Sequence, residues 1–395
     1  ARSLAGMIAQ TGLLDLSSIS NPDEQVKKLY REVYRQQLEP SPHFHFWDNS
    51  KQIHFVGAWD TVGALGIPDD KSLVNLFDNP ENYQFHDTKL SPHIRHARHA
   101  VAIDEKRGSF TPTLWDEHNR AQSTSLKQVW FPGTHSDVGG GYADAGLSDC
   151  ALQWMIDEAA LTGLVFDQDS LGQLTPDPLA TLHDSHQGLM KLMVSAPRSL
   201  PDLADGRHFS ESVNTRRQRA SLKQGHYLKT QSIADYGMVE FDVDANNPWN
   251  WTGVYLKADK SYRIKARGQW MDASIPAGPA GASDNDFHAG EIVHMAGSLL
   301  GKLEQGWSKL TGNEDANIFG TKRVEHADWM ALIGCIANAG NPGFDGTPDK
   351  LTTFEIGEEC VIRPKKSGYL YCFANDAWGF YGNNRGFLTV IVEEA

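Results

Sequence analysis

The chain has 395 residues, with 36 Lys and Arg against 50 Asp and Glu, a formal net charge of −14 and a sequence pI of about 5.5. Such a balance argues against nucleic acid as a partner, because a phosphate backbone needs a concentrated basic surface. The length is ample for a buried core and suggests two domains, and no run of about 18 apolar residues is present that would span a membrane.

The opening ARSLAGMIAQTGLL reads as a helix already under way, without a Met start or a signal-peptide pattern. The expectation is that the sequence starts inside a domain. Asn21–Leu38 is a second helix, with Asn21 as its cap and Pro22 in its first turn. Gln52–Gly63 holds Ile53, Phe55, Val56, Ala58 and Trp59 in a near-continuous apolar run, the signature of a strand buried on both faces. Lys127–Gly133 is a second such strand. The helix after it places Leu152, Met155, Ile156, Ala159 and Ala160 on one face, with Ser148 as cap and Gly163 as stop. Strands alternating with helices predict a mainly parallel α/β sheet. The RRQR run within Asn214–Arg219 reads as a solvated turn.

After Tyr236 the pattern becomes short alternating segments separated by Gly, Asp, Asn and Pro, which is all-β sandwich grammar. Residues 273–321 are Gly-, Ala- and Asp-rich and read as an insertion between strands, broken by one helical patch at Ile292–Trp307. The expected domains are therefore residues 1–235, α/β, and residues 236–395, all-β. The four cysteines, Cys150, Cys335, Cys360 and Cys372, lack metal-ligand or CxxC spacing and are expected as buried free thiols.

Catalytic groups of open α/β sheets sit just past the carboxyl ends of strands. Two loops have that position: Trp59-Asp60-Thr61, and Gly133-Thr134-His135 in the stretch VWFPGTHSDVGGGYADAGLSD. Asp60 followed by His135 suits an acid–base pair in which the histidine takes a proton from a serine and the aspartate fixes its tautomer. Taken alone, each residue reads equally well as a turn or structural residue. Gly139, Gly140 and Gly141 allow a sharp turn into the next helix, and no Lys-Ser/Thr follows them to make a phosphate loop. Asp137 with one histidine makes a weak metal site.

The motifs FVGAWDTVGALG (Phe55–Gly66), RHAVAIDEKRGSFTPTLW (Arg98–Trp115) and VWFPGTHSDVGGGY, followed by LSDCALQWMIDEA, resemble a bacterial α/β-hydrolase family. That family includes the phospholipase effectors of type VI secretion systems. The resemblance implies a partial α/β-hydrolase fold over residues 1 to about 235, with Asp60 and His135 as the catalytic acid and base. It assigns no role to His99, Asp104, Glu105 and Arg107, which read as a structural salt-bridge cluster. The family serine lies in a G-F-S-R-G segment running into a helix like ARSLAGMI, so the nucleophile is expected upstream of Ala1. No other G-x-S-x-G is present, and Ser3 falls on the helix. Residues 1–395 alone are then expected to be inactive. Ser199–Phe209 is the candidate lid.

The C-terminal GYLYCFANDAWGFYGNNRGFLTVIVEEA resembles the calcium-dependent galactophilic bacterial lectin family. It implies a Ca2+ site at Asp376, Asn383, Asn384 and the Phe380 carbonyl, with Trp378 and Tyr381 as sugar-stacking candidates. An Asn-Asn-Gly turn without an ion is the other reading of those residues. Together the resemblances imply a serine-type phospholipase A, an antibacterial effector made in the bacterial cytoplasm and delivered to the periplasm or membrane of a target cell. Its expected partners are a phospholipid surface, a glycan, an immunity protein and secretion components, with no cofactor for the hydrolysis itself. The alternative is a glycan- or calcium-binding protein whose hydrolase part is an inactive scaffold.

Overall fold

The computed structural model describes residues 2–62, 89–118, 120–187, 194–219, 224–282, 322–342 and 349–395. The helical patch expected at 292–307, and most of the insertion around it, lie outside the described residues.

The first part is a three-stranded, all-parallel sheet in the order β1 (Ile53–Trp59), β2 (Ile94–Ala102), β3 (Ser125–Phe131). Helix α1 (Arg2–Thr11) covers one face, with Ala5 packed among Val56, Ala58, Ala97 and Trp115. After α2 (Pro22–Leu29), the chain winds through a π-helical turn at Tyr30–Tyr34 before entering β1. Asn21 caps α2 as its sequence suggested, its Oδ1 accepting the Glu24 N–H at 3.3 Å. Short helix α3 (His135–Gly139) follows β3, and α4 (Gly146–Ala160) covers the second sheet face. There Ala151 and Met155 pack on Ala100, Ala102 and Phe131. A Cβ on Gly57 would lie 2.8 Å from the Met155 sulfur, so the small residue in β1 sets how closely α4 approaches. Leu152 and Ile156 are half-buried and Ala160 is exposed, so the buried face of α4 runs one residue earlier than the spacing suggested, through Leu147, Ala151 and Met155.

The central strand β2 is the element that the apolar pattern does not reveal. Arg98 and His99 lie inside it and are almost fully buried. Arg98 pairs with Glu158 of α4 at 2.5 Å, and Glu158 also takes Lys127 of β3 at 2.6 Å. Burial pushes the His99 imidazole down to about 3, so the ring is neutral, and its Nε2 accepts the Thr61 N–H at 3.0 Å.

Beyond the short helix α5 (Gln168–Leu171), the segment at 214–219 is helical rather than a turn. It belongs to α6 (Glu211–Gln218), and Arg216 is buried with its guanidinium on the Pro178 and Ala180 carbonyls. The expected lid, Ser199–Phe209, is likewise fixed. Leu200, Leu203 and Phe209 are buried against Val101, Trp130 and Tyr369.

The second part holds two antiparallel sheets. One pairs β10 (Glu359–Ile362), β6 (Tyr262–Asp272), β12 (Asn384–Glu394) and β4 (Met238–Asp244), with β7 (Ile275–Ala277) beside β6. The other pairs β5 (Asn250–Leu256), β11 (Gly368–Ala374), β8 (Leu332–Ala337) and β9 (Thr352–Glu355). Their facing side chains, among them Leu256, Ile264, Trp270, Leu332, Leu370, Leu388 and Val390, form one core. Alternation along β12 shows the cause: Leu388, Val390 and Val392 point inward, while Thr389 and Ile391 remain half-exposed. The opposite face of β5 and β11 is also covered, because Trp251, Tyr255, Tyr369 and Tyr371 pack on the first part of the chain. All four cysteines are free as expected; Cys335 in β8 and Cys372 in β11 are buried, while Cys150 in α4 and Cys360 in β10 are only half-buried.

Candidate active site

Parallel strands end on one edge of the sheet, and two of them deliver the paired residues. Asp60 directly follows β1 and is held there by its N–H to the Ala100 carbonyl at 2.7 Å. Its φ of +36° is a strained value for an aspartate, of the kind that concentrates at functional sites. His135 opens α3 after β3. Its Nδ1 lies 2.7 Å from Asp60 Oδ2, with the carboxylate fully buried and the imidazole 24% exposed. The structure thus joins two residues separated by 75 positions in the chain.

Four donors surround the Asp60 carboxylate. The Ala102 N–H reaches Oδ1 at 2.8 Å, and Arg198 forks across both oxygens, Nη1 to Oδ1 at 2.5 Å and Nη2 to Oδ2 at 2.8 Å. His135 Nδ1 completes the set. Burial alone would push this carboxyl up. The Arg198 guanidinium and the His135 hydrogen bond override it and hold Asp60 well below the usual carboxylate range. Asp60 therefore stays ionised, and a carboxylate on Nδ1 leaves Nε2 as the free basic nitrogen.

The loop carrying His135 is built as a frame. Asp104 Oδ2 accepts the Gly133 N–H at 2.7 Å and the Tyr227 hydroxyl at 2.8 Å. Glu105, paired with Arg107 at 2.8 Å, accepts the His135 N–H at 3.3 Å. Of the expected salt-bridge cluster, Glu105 and Arg107 form an ion pair, and Asp104 and Glu105 anchor the loop carrying His135, whereas His99 is neutral and bonds Thr61 instead. Asp137 accepts from the Thr134 N–H and hydroxyl, and its other oxygen pairs with His183 Nδ1 at 2.6 Å. Both Asp137 oxygens are thus engaged by Thr134 and His183. Gly140 and Gly141 adopt φ of +89° and +122°, the turn expected of the glycine run. Gly133 has φ of +114°, and a Cβ there would fall 2.3 Å from that of Asp137. Gly133→Ala is expected to destabilise the protein by more than about 1 kcal/mol and to displace His135, as a lowered melting temperature and an altered His135 NMR signal would report.

Among the described residues no hydroxyl hydrogen-bonds His135. The N-terminal end of α1, however, lies at the edge of the sheet that carries Asp60. Arg2 donates to the Thr113 carbonyl and lies over the Trp115 ring, while the Thr113 N–H bonds the Thr61 carbonyl at 2.8 Å, one residue past Asp60. Ser3 lies within α1, one residue past its start.

Sequence reasoning missed Arg198 and His183. Arg198 follows a proline in VSAPRSLP, and nothing in that spacing points to a residue 138 positions earlier. Charge complementarity to a buried carboxylate becomes visible only once the chain is folded.

A second cluster lies in the C-terminal sandwich. Asn384 Nδ2 donates to Asp376 Oδ2 at 2.8 Å and to the Ala245 carbonyl, while its buried Oδ1 has no hydrogen-bond partner. Asn383 donates through its side chain to Asp272, and its N–H bonds the Phe380 carbonyl at 3.3 Å. Burial, with the Asp272 charge nearby, pushes Asp376 up to about 6. Two carboxylates, an orphaned amide oxygen and a turn carbonyl are hard oxygen donors and fit Ca2+. Among the described residues no three His, Cys, Asp or Glu side chains gather as a metal site, so the amide and carbonyl oxygens would have to contribute. Tyr381 is buried and bonds the Ala374 carbonyl and Arg323, which removes it as a sugar-stacking ring.

The Asp60–His135 pair falls within a family match. Residues 1–158 match the family model for the T6SS phospholipase effector, Tle1-like, catalytic domain. Over 124 residues the chain is 29% identical to the uncharacterized protein YEL023C of Saccharomyces cerevisiae, covering 28% of this chain. The chain spans 16% of the length of that curated relative. A solved structure of the EclA N-terminal domain, a PllA-like lectin, aligns over 40% of this chain and 98% of its own length, with 19% identity and a TM-score of 0.23. Asp60 and His135 both fall inside the Tle1-like match, whereas Arg198 and the sandwich lie beyond it. No helix among the described residues is long and apolar enough to cross a membrane.

Proposed function

We propose that this chain is the main part of an α/β-hydrolase-like, serine-type ester hydrolase, a phospholipase A of the type VI secretion effector class. The observation that carries the reading is the buried Asp60 carboxylate on His135 Nδ1, at the ends of two parallel strands within the Tle1-like match. In this reading a serine preceding Ala1, at the N-terminal end of α1, attacks the acyl carbonyl of the lipid. His135 Nε2 takes the serine proton and returns it to the leaving alkoxide. Asp60 keeps the imidazole in the tautomer with its proton on Nδ1 and stabilises the imidazolium as it forms. The acyl-enzyme is then opened by water, activated by the same nitrogen.

Two assays test this. Purified residues 1–395 are expected to release no fatty acid from phosphatidylethanolamine/phosphatidylglycerol vesicles, and robust release abolished by His135→Ala would place the nucleophile inside the chain. The same chain extended at its N-terminus to include a G-x-S-x-G serine is expected to release fatty acid. Silence of the extended chain would favour a binding protein on a hydrolase scaffold.

The orphaned Asn384 Oδ1 favours a second activity in the sandwich. Asp376, Asn383, Asn384 and the Phe380 carbonyl, with Asp272 beside them, would hold Ca2+, which when bound offers open coordination positions to sugar hydroxyls. A glycan-docking role for the sandwich, delivery to a target cell's periplasm or membrane, and neutralisation by an immunity protein belong to the same reading.

A further inference from the structure

We propose that Arg198 is a positioning residue for the Asp60–His135 pair, and that the C-terminal sandwich holds Arg198 in place. The inference rests on the hydrolase reading of that pair.

The geometry is specific. Each terminal nitrogen of the guanidinium serves one carboxylate oxygen and one backbone carbonyl. Nη1 takes Asp60 Oδ1 and the Ala102 carbonyl at 2.6 Å, and Nη2 takes Asp60 Oδ2 and the Phe110 carbonyl at 2.8 Å. The two carbonyls fix the plane of the fork, and the fork fixes the twist of the carboxylate, so Oδ2 stays aimed at His135 Nδ1. A lysine ammonium carries the charge without that planar double contact. Phe110, whose carbonyl anchors Arg198, also lays its ring edge-on to His135 at 5.3 Å between centroids.

The same pairing sets the charge that His135 feels. The Arg198 cation offsets the Asp60 carboxylate, so the imidazolium gains less from that carboxylate than it would from a bare one. The remaining charged and titratable groups around the pair are already engaged. From β2 comes His99, neutral and bonded to Thr61. From the loop after β2 come Asp104 on Gly133, and Glu105 with Arg107, which lies over the Phe110 ring. From α3 comes Asp137, paired with His183, and from α1 Arg2, on the Thr113 carbonyl. Arg198 is the cation bonded directly to the carboxylate.

The segment carrying Arg198 is clamped on both sides by the sandwich. Trp249 Nε1 donates to the Ser195 carbonyl and hydroxyl, both at 3.2 Å, and the Leu203 N–H donates to the Tyr369 hydroxyl at 2.8 Å. Leu200 and Leu203 are buried against the same aromatic face. Trp249 is itself fixed, with Arg323 over its ring at 4.1 Å and Phe373 edge-on at 5.1 Å. On its own half, the start of this segment is tied by backbone bonds from the Ala196 N–H to the Lys106 carbonyl and from the Gly108 N–H to the Val194 carbonyl.

The test is a His135 imidazole titration by 15N NMR in the full chain, with Arg198→Met, Arg198→Lys, Trp249→Phe and Tyr369→Phe. Arg198→Met is expected to raise the His135 midpoint by about one pH unit, and adding Asp60→Asn is expected to abolish that rise. Arg198→Lys is expected to keep the midpoint near wild type. In the extended, active chain it should lower kcat about tenfold with KM unchanged, as loss of aim rather than of charge predicts. Trp249→Phe removes the indole N–H and both of its bonds to Ser195, Tyr369→Phe removes the hydroxyl that accepts the Leu203 N–H while keeping the ring, and both are expected to shift the midpoint in the same direction as Arg198→Met, by less. A wild-type kcat in Arg198→Lys overturns the positioning role, and a midpoint in Arg198→Met equal to wild type, with only a lowered melting temperature, overturns the charge coupling. Wild-type midpoints in both aromatic variants overturn the clamp. Should Arg198→Met fail to fold, the kcat of Arg198→Lys and the two aromatic variants decide. The titration needs no substrate, so absence of ester turnover in the extended chain would count against the hydrolase reading alone.

Discussion

Asp60→Asn, in the chain extended to its nucleophile, is expected to lower kcat for phospholipid hydrolysis by about 10⁴-fold, and His135→Ala by at least as much. The reason is stricter here than for an isolated aspartate–histidine pair. Asp60 receives four donors and offers none in return. An asparagine amide must place its NH2 at the Oδ1 position, facing the Ala102 N–H and Arg198 Nη1, or at the Oδ2 position, facing Arg198 Nη2 and His135 Nδ1. The first leaves two donors facing each other in a buried site. The second forces the imidazole into the tautomer with its proton on Nε2, where it cannot accept the serine proton. Stopped-time fatty-acid release from vesicles measures the loss, and activity of Asp60→Asn within tenfold of wild type would remove Asp60 from the mechanism.

The pH dependence has a definite sign. Because the folded-state value of Asp60 lies below its unfolded value, its contribution to stability is present above the ordinary carboxylate range. It is lost only as pH falls through the depressed folded value. Protonation of Asp60 therefore does not shape the acid limb of the rate profile.

Calcium is expected to raise the melting temperature of the sandwich by roughly 5–10 °C at a free concentration a hundred times Kd, from a stabilisation of about 2.7 kcal/mol. Asp376→Ala is expected to abolish the rise. Asn384 Oδ1, buried without a hydrogen-bond partner, and Asp376, close to the Asp272 charge, would be the groups that gain from a bound cation. A protonated Asp376 would compete with the ion, so the gain is expected to be full above about pH 6 and to shrink below it. Scanning calorimetry with calcium and with EDTA checks both statements. Identical traces across pH would leave the loop as an ion-free turn, and a glycan array with calcium present then tests sugar binding separately.

Much of the architecture was legible because it follows from local periodicity. Apolar runs marked β1 and β3, the Asn21 cap marked α2, spacing marked α4, whose start at Gly146 puts the expected cap Ser148 inside the helix, and alternation marked the sandwich strands. What escaped follows from pairing at a distance. Strand β2 reads as polar through Arg95, His96, Arg98 and His99, yet it is the central strand. Glu158 neutralises Arg98, and the Thr61 N–H satisfies the uncharged His99. The RRQR run looked like a solvated turn, but Arg216 is buried because two carbonyls receive its guanidinium. Ser199–Phe209 looked like a lid because its apolar residues stand among Asp, Gly and Arg, and the aromatic face of β5 and β11 covers them.

The sequence by itself determined that a buried parallel sheet would carry Asp60 and His135 at strand ends, since hydrophobic runs and their terminal loops are local properties of the chain. It also marked the Asp376–Asn384 loop, where turn chemistry and oxygen donors share the same residues. Only the tertiary structure decided that Asp60 would be gripped by Arg198, and that the sandwich would pack on the segment bearing it. A bond between a buried carboxylate and a guanidinium 138 residues away has no local signal, because its energy exists only once both have left water.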